Sequence, residues 1–461
     1  MLVDASPVPP PAAPPSPAAS CRAQIGIDAA ITANHQVAVR RVGVDGDATT
    51  TRFVVAPTLA GLGTSTGRLA GCPGAVAVAE PTSMTWLALA WALTDAGGAL
   101  ALLGSRHAAR LRGAISGKNK SDVIDADVLA RAAEVFELTP LRLPGPEQLA
   151  LRRVVTRRGA AVIDANRYLR RLISLARWAF PDVWNAFRGS LPTGKAVLAR
   201  WPHLAALADA RRSSLTAVVA EHTRGAADVP ARVEAIRLAA RDWAVFWAGR
   251  LDLDALAWDV SEQLADLADA AARVERATAQ ATLYWERVYG EDELLLSIPG
   301  MGPVTAPTVR AFLGDGSGFT TAKAAASYVG ITPSNWSSGT VTQPSRAITK
   351  EGPAVLRLAF YQAGNAARRT DPQLAAFYHR LMAQRGHCHT QASVAVARKL
   401  VERTWAVLHR GTPYRLRDLD GQPISERAAK ALVAERFTVG DDVRARARAH
   451  SAATHRSKLT R

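Results

Sequence analysis

Four acidic residues carry the clearest chemical signal in this chain. Asp28 closes the apolar run IGID and Glu80 closes AVAVAE, so each acid stands at the C-terminal end of a strand-like segment. Either acid alone reads equally as a helix cap or turn residue. Asp122 and Asp125 follow inside KNKSDVIDADVLAR, three residues apart and on one face if the segment is helical. Asp127 falls off that face and reads as a solvent-exposed acid. Ser121 suits a helix start, which would explain Asp122 near the helix N-terminus but not Asp125. Four carboxylates gathered together repel one another unless a cation lies between them, and Mg²⁺ prefers such oxygen ligands. A pair of ions about 4 Å apart can activate an attacking oxygen and stabilise a leaving one at phosphorus. Phosphodiester chemistry is the expected output.

A second candidate lies in the polar stretch ITPSNWSSGTVTQPSRAITKEG, Ile331–Gly352, which is long for a passive connector. A serine beside glycine can sit on an exposed turn with its hydroxyl open to a phosphodiester, giving a covalent phosphoserine link. Taken alone, SSG is ordinarily a polar turn. Serine also needs a base or a polarising cation, and no histidine or acid lies close by in the sequence. Arg346, Lys350 and Arg357 follow and could offset the charge that develops at phosphorus, although surface charge explains each equally well. His387-Cys388-His389 offers three soft ligands, but adjacent residues point apart, so no metal is assigned there.

The elements that must position these groups differ along the chain. Residues Gln24–Asp28, Gln36–Val42, Thr51–Val55, Ala75–Ala79 and Ala99–Leu103 read as strands, with helices at Thr58–Leu69 and Ser83–Leu93. They make an α/β domain with a mixed sheet over residues 24–145. Residues 146–290 are Ala/Leu/Arg-rich with helical periodicity, broken at Pro181, Pro192, Pro202 and Pro230, and read as a helical, coiled-coil region. The arginines of its first helix could line phosphates or form a solvated face. In residues 291–410, expected to be mainly helical, LLLSIPGMG resembles a helix-hairpin-helix turn. Such turns can aim backbone N–H groups at DNA phosphate, and PGxG also occurs as a plain connector. Residues 411–461 read as a basic tail, flexible and phosphate-seeking from Val443.

Composition agrees with a nucleic-acid partner. The 57 Lys and Arg against 40 Asp and Glu leave a net charge of +17, which favours association with a polyanion. Three scattered cysteines make no disulfide framework or multi-cysteine zinc site. With no apolar window of spanning length and no export-type start, a cytoplasmic location is expected. Residues 1–23, rich in Pro and Ala, read as a disordered leader.

The order Asp, Glu, then DxxDA within K-x-K-[ST]-D-x-x-DA resembles the DEDD transposases of bacterial insertion sequences. The stretch G-[LI]-x-P, SSG and [IT]-[ST]-K-x-G before an LR-containing helix resembles the same family's second signature. Together they cover Gln24 to about Arg410. The resemblance implies an N-terminal RuvC-like domain of RNase H-like fold, with Asp28, Glu80, Asp122 and Asp125 as catalytic, Mg²⁺-binding acids. It implies a serine nucleophile, Ser338 before Gly339, with Ser337 as fallback. Lys118 and Lys120 become nucleic-acid backbone contacts by position. It further implies DNA as substrate, a noncoding bridge RNA as guide, and a homodimer or homotetramer whose subunits share sites. Pro353 stands where the family often has asparagine, so a contact made by that asparagine is in doubt, although proline suits a first helical turn. A Mg²⁺-dependent Holliday-junction-resolvase-like nuclease, with the serine loop only binding, is the alternative; a DNA-binding regulator with vestigial acids is the non-enzymatic reading.

Overall fold

The computed structural model describes residues 22–449 except 44–45, 70–71, 73, 118, 224–227, 335–336, 339–340 and 343–346, and gives only the backbone at 22, 337, 338, 341 and 342. The expected leader up to residue 21, Lys118, Arg346 and the last twelve residues of the basic tail therefore lie outside the described residues. The chain forms two compact units, Met1–Pro144 and Gly145–Arg461.

The first unit is built on one five-stranded sheet of order β3-β2-β1-β4-β5, with β1 at Arg22–Asp28, β2 at His35–Val42, β3 at Ala48–Val55, β4 at Val76–Ala79 and β5 at Ala99–Leu102. Strands β1 to β3 run antiparallel, whereas β4 pairs parallel with β1 and β5 with β4. This is the mixed sheet that the alternating apolar runs imply. Side chains alternate between faces. Ile25, Ile27, Val37, Val39, Ala77 and Ala79 pack beneath α1 (Leu59–Leu69) and α2 (Thr85–Asp95) through Leu69, Trp86, Leu89 and Leu93. On the opposite face Val78 meets Leu111 of α3 (Ser105–Ser116) and Val128 and Leu129 of α4 (Asp122–Ala130). A short α5 (Ala132–Val135) follows.

Gly26 decides how closely α4 seats. A Cβ there would stand 2.0 Å from the Ala126 carbonyl oxygen and 2.2 Å from the Ala130 nitrogen, so only glycine lets helix backbone meet strand backbone. Ala38, Ala126 and Ala130, all small, continue that close face.

The second unit is mainly helical. Two long helices, α6 (Pro146–Ala179) and α12 (Leu253–Tyr289), pack along one another, and at ~1.5 Å per residue each runs roughly 50 Å. Between them in sequence lie α7 (Pro181–Ala186), α8 (Leu191–Arg200), α9 (Leu204–Ala208), α10 (Arg212–Glu221) and α11 (Val229–Trp247). The prolines at 181, 192 and 230 fall in the first turn of α7, α8 and α11, where a missing N–H costs nothing. These short helices bury Phe180, Phe187, Leu207 and Ile236 against the end of α6 and the start of α12.

A separate core forms at the other end of the long pair, where Leu151, Val155, Ala281 and Trp285 join α13 (Glu293–Leu296), α14 (Thr305–Leu313), α15 (Ala322–Val329), α16 (Ala354–Ala367), α17 (Pro372–His379) and α18 (His389–Arg410). Its buried ion pair was not legible in sequence: Asp292, in the left-handed region at φ 38°, accepts from Arg310 at 2.6 and 2.7 Å and from the Trp285 indole at 3.0 Å.

Two expectations change here. The turn of LLLSIPGMG does not carry a full first helix, since α13 is one turn long. Gly300 faces inward: a Cβ on it would lie 2.3 Å from the Ala363 carbonyl oxygen of α16. The flexible arm expected from Val443 is instead helical through residue 449. It follows α19 (Glu426–Arg436), and Val439 and Ala447 are buried in the same core. Small residues between the arginines give that segment an apolar side to bury.

Candidate active site

Strand register brings the first two acids together. Ile27 pairs with Ala79 in the parallel β1–β4 ladder, so Asp28 and Glu80 leave adjacent strand ends side by side. Each is two residues beyond a residue facing α4, Gly26 and Val78 respectively, and so emerges on that helix's side of the sheet. Helix α4 supplies the other two. Ser121 caps it, its hydroxyl accepting from the Ile124 amide at 3.2 Å, which fixes Asp122 and Asp125 in the first turn.

The consequence is electrostatic. The Asp28 carboxyl is pushed up to about 6, first by burial and then by the negative charges of Asp122, Asp125 and Glu80, with Lys120 pulling the other way. The other three predicted acids, from two further chain segments, therefore all act on Asp28, and Lys120, itself exposed, is near enough to matter. Asp127 is held outside the group by Arg52, which donates to both its oxygens at 2.9 Å.

Asp125 is buried and its Oδ1 accepts from Arg112 Nη1 of α3 at 2.7 Å. Among the described residues, no three acidic, histidine or cysteine side chains are drawn tightly enough together to hold a metal ion as they stand. The donor set itself is all carboxylate oxygen, which suits a hard divalent cation, and the acids' mutual repulsion is what such a cation relieves.

Sequence reasoning missed Gly26 and Arg112. The first had a signal, an isolated glycine inside a strand pattern. The second had none, because nothing in RLRG marks which arginine faces α4.

Within the described residues of the serine stretch, two short strands pair. Ser337 pairs with Thr342 and Ser338 with Val341, antiparallel, in strands β6 (Ser337–Ser338) and β7 (Val341–Thr342). Below them Pro333 bridges Ile348, and the Ser334, Thr349 and Lys350 amides donate to Ala347, Thr332 and Gly330 carbonyls at 3.0 Å each. The motif glycines close the base. Gly330 ends α15 at φ 71°, and a Cβ on Gly352 would fall 1.8 Å from the Tyr328 carbonyl oxygen. Arg357 Nη1 donates to the carbonyls of Gly352 at 3.0 Å and Val329 at 3.3 Å, tying α16 to that base. Lys350 sits beside it in the left-handed region at φ 57°.

Comparison with known proteins matches both halves. Residues 25–181 match a transposase family model of the DEDD type, and residues 292–379 match the model described as the IS116/IS110/IS902 transposase family. The chain is 30% identical over 305 residues to an uncharacterized protein of insertion element IS116 from Streptomyces clavuligerus, covering 65% of this chain and 73% of that one. The chain belongs to the IS116/IS110/IS902 transposase family. Over 124 residues the transposase is 37% identical to an uncharacterized protein of insertion element IS110 from Streptomyces coelicolor, 27% of this chain and 30% of that one. It is 35% identical over 122 residues to a pilin gene-inverting protein of Moraxella lacunata, 26% of this chain and 38% of that one.

The transposase is thus a DNA-binding strand-transfer enzyme of the insertion-sequence kind, with an RNase H-like DEDD domain followed by a mainly helical region. A domain of that type implies a divalent metal. Among the described residues, no helix is long and apolar enough to cross a membrane.

Proposed function

We propose that this transposase cuts and rejoins DNA through the hydroxyl of Ser338, with Mg²⁺ held by Asp28, Glu80, Asp122 and Asp125. The observation that supports it most is that Asp122, Asp125 and Glu80 all bear on Asp28 at one side of the sheet, adding to the burial that pushes its carboxyl up to about 6. Isolated caps and turn residues would not bring three charges to bear on one carboxyl.

In this reading the Ser338 oxygen bonds to phosphorus, one sugar–oxygen bond to that phosphorus breaks, and the serine proton leaves as the sugar hydroxyl forms. A hydroxyl of the partner strand then displaces serine, so the number of phosphodiesters is unchanged and no outside energy source is needed. Bound Mg²⁺ supplies Lewis acidity that offsets negative charge at the reacting phosphate. Asp28 and Glu80 hold fixed positions at strand ends, and Asp125 reaches the same place once Arg112 yields it. Lys120 and Lys350, with Lys118 and Arg346, steer the DNA backbone. Arg357 holds the hairpin in place through the two carbonyls it bridges.

Three further parts of the reading follow the family pattern: a noncoding bridge RNA as guide, a homodimer or homotetramer that sets the acids of one subunit beside the serine of another, and functional domains at 24–145, 146–290 and 291–410. The lack of any histidine or acid near Ser338 in sequence supports the shared site.

The test is an adduct trap with element-end DNA, Mg²⁺ and the element's noncoding RNA. A denaturation-resistant protein–DNA ester should map to Ser338 and disappear in Ser338→Ala, with strand exchange falling by about three orders of magnitude or more. Continued cutting by Ser338→Ala would instead establish a hydrolytic, resolvase-like enzyme. An ester on Ser337 would move the nucleophile by one residue.

A further inference from the structure

The C-terminal segment beyond the family match closes a basic cavity of about 250 Å³ against α16 and α17. Arg368 and Arg369 stand at the end of α16, Tyr378 comes from α17, Lys430 from α19 and Arg444 from the last helical segment. Lys430 and Arg444 lie outside residues 292–379, so nothing in the family match accounts for them.

The cavity is short of negative charge. Glu426 pairs with Lys430 at 2.5 Å, and Asp441, fully exposed, lies 4.0 Å from Arg444. Among the described residues, no carboxylate is within ion-pair distance of Arg368 or Arg369. Arg368 is half-buried and Arg369 exposed. Arg368 is stacked over the Tyr378 ring at 4.1 Å with its Nε donating to Asn365 Oδ1 at 3.2 Å, which fixes the guanidinium plane and leaves its two terminal nitrogens without a described protein acceptor. The Tyr378 hydroxyl is already committed to His389 Nδ1 at 2.7 Å. Burial, together with Arg368, Arg444 and Arg369, holds His389 below the usual histidine range, so that ring is neutral and adds no charge.

Convergent guanidiniums repel one another just as the carboxylates of the first unit do, and the ligand that relieves them is an oxyanion. A planar guanidinium with free terminal N–H groups matches two oxygens of one phosphate. We infer that Arg368, Arg369 and Arg444 form a phosphate-binding pocket that grips the backbone of duplex DNA held by the transposase. A DNA phosphate is favoured over other oxyanions because DNA is what this enzyme family handles, and because a helix-ended cleft lined by several arginines can follow a continuous backbone. The contact carries no sequence information. It adds hold and register.

The test uses the full chain and a DNA duplex of arbitrary sequence, with affinity measured by fluorescence anisotropy over a salt series. The double substitution R369Q/R444Q should weaken binding roughly tenfold and make the slope of log affinity against log salt shallower by about 0.9 for each phosphate no longer neutralised. R212Q/R241Q, which removes the same charge from α10 and α11, is the control; an equal effect from it would reduce the pocket to general surface charge and overturn the inference. If R369Q/R444Q also lowers the melting temperature, R369K/R444K decides, since retained charge should keep the slope, and a lost slope would show a purely structural role. Inorganic phosphate should raise the melting temperature of the unsubstituted chain but not of R369Q/R444Q. Phosphate stabilisation with an unchanged DNA slope would assign the pocket to free phosphate and overturn the DNA contact. Weakened binding to structured RNA with duplex binding intact would overturn it as well.

Discussion

The carboxylate site and the serine hairpin are held by different physics. The acids depend on backbone geometry fixed deep in a core: a parallel register, a glycine that admits α4, and a capped helix start. The serines depend on a short antiparallel ladder whose base is tied by backbone hydrogen bonds, two glycines and one arginine. Positions that must balance several like charges tolerate little displacement, because Coulomb energies at short range change steeply with distance. A nucleophile needs approach more than fixity. The contrast predicts that damage to the first site shows in charge and metal dependence, whereas damage to the second lowers bond transfer and leaves metal dependence intact.

The largest separation of the two should come from Asp28→Asn. It removes the acid on which the other three bear, and strand transfer should fall about a thousandfold or more, a loss of roughly 4 kcal/mol of transition-state stabilisation. Mg²⁺ should also lose much of its ability to raise the melting temperature. Ser338→Ala should keep that Mg²⁺ effect in full while abolishing transfer. A normal Mg²⁺ shift in Asp28→Asn would separate the acid from metal binding.

Next in size is a pair of glycine substitutions. Gly26→Ala and Gly352→Ala each drive a Cβ into a backbone carbonyl, at 2.0 Å from Ala126 and 1.8 Å from Tyr328. Neither carbonyl can swing aside as a side chain would, so each should cost about 1–3 kcal/mol of stability. Their readouts should differ: Gly26→Ala weakens the Mg²⁺-dependent thermal shift, and Gly352→Ala leaves it intact while lowering adduct yield. Loss of the Mg²⁺ shift in Gly352→Ala would break the division drawn between the two regions.

Much of this was legible in the sequence, and the omissions have causes. The five strands announced themselves by short apolar runs between turn residues, and Asp28 and Glu80 by their position at two strand ends. The convergence of Asp122 with them was not readable from periodicity, because it depends on how close α4 sits, which Gly26 sets through space. The strand pairing around Ser338 escaped because its strands are only two residues long, leaving no alternation to detect. The helical segment 441–449 looked like a charged tail because its arginines dominate its composition, while the small residues that pack it are uninformative alone.

Arg112 gives a finer probe of the first region. Its removal in Arg112→Gln strips Asp125 of the ion pair made at 2.7 Å while that acid stays buried. The metal-free protein should lose about 1–3 kcal/mol, the cost of leaving a buried polar group poorly satisfied. Mg²⁺ should then restore more stability than it does in the unsubstituted chain, since a cation and Arg112 compete for the same carboxylate. Calorimetric unfolding with Mg²⁺ and with a chelator measures both numbers. An unchanged Mg²⁺ increment would mean that Arg112 and the metal use different oxygens of Asp125.

The smallest effect is one of pH, and its sign follows from Asp28. Folded, this carboxyl keeps its proton up to about 6, against 3.8 for an ordinary aspartate. Between those values the folded state holds more proton than the unfolded one, so Asp28 favours the metal-free fold in acid and loses that contribution as pH rises to about 6. Metal binding runs the opposite way, because the ion needs the ionised carboxylate and must displace the proton below that point. Apparent Mg²⁺ affinity should therefore be nearly flat above about 6 and fall towards tenfold for each pH unit below it. Titration of Mg²⁺ by thermal shift across that range should locate the bend, and Asp122→Asn should move it downwards by removing the strongest of the neighbouring charges that raise it. A bend that stays in place in Asp122→Asn would show that Asp122 does not act on the Asp28 proton, and would remove it from the site.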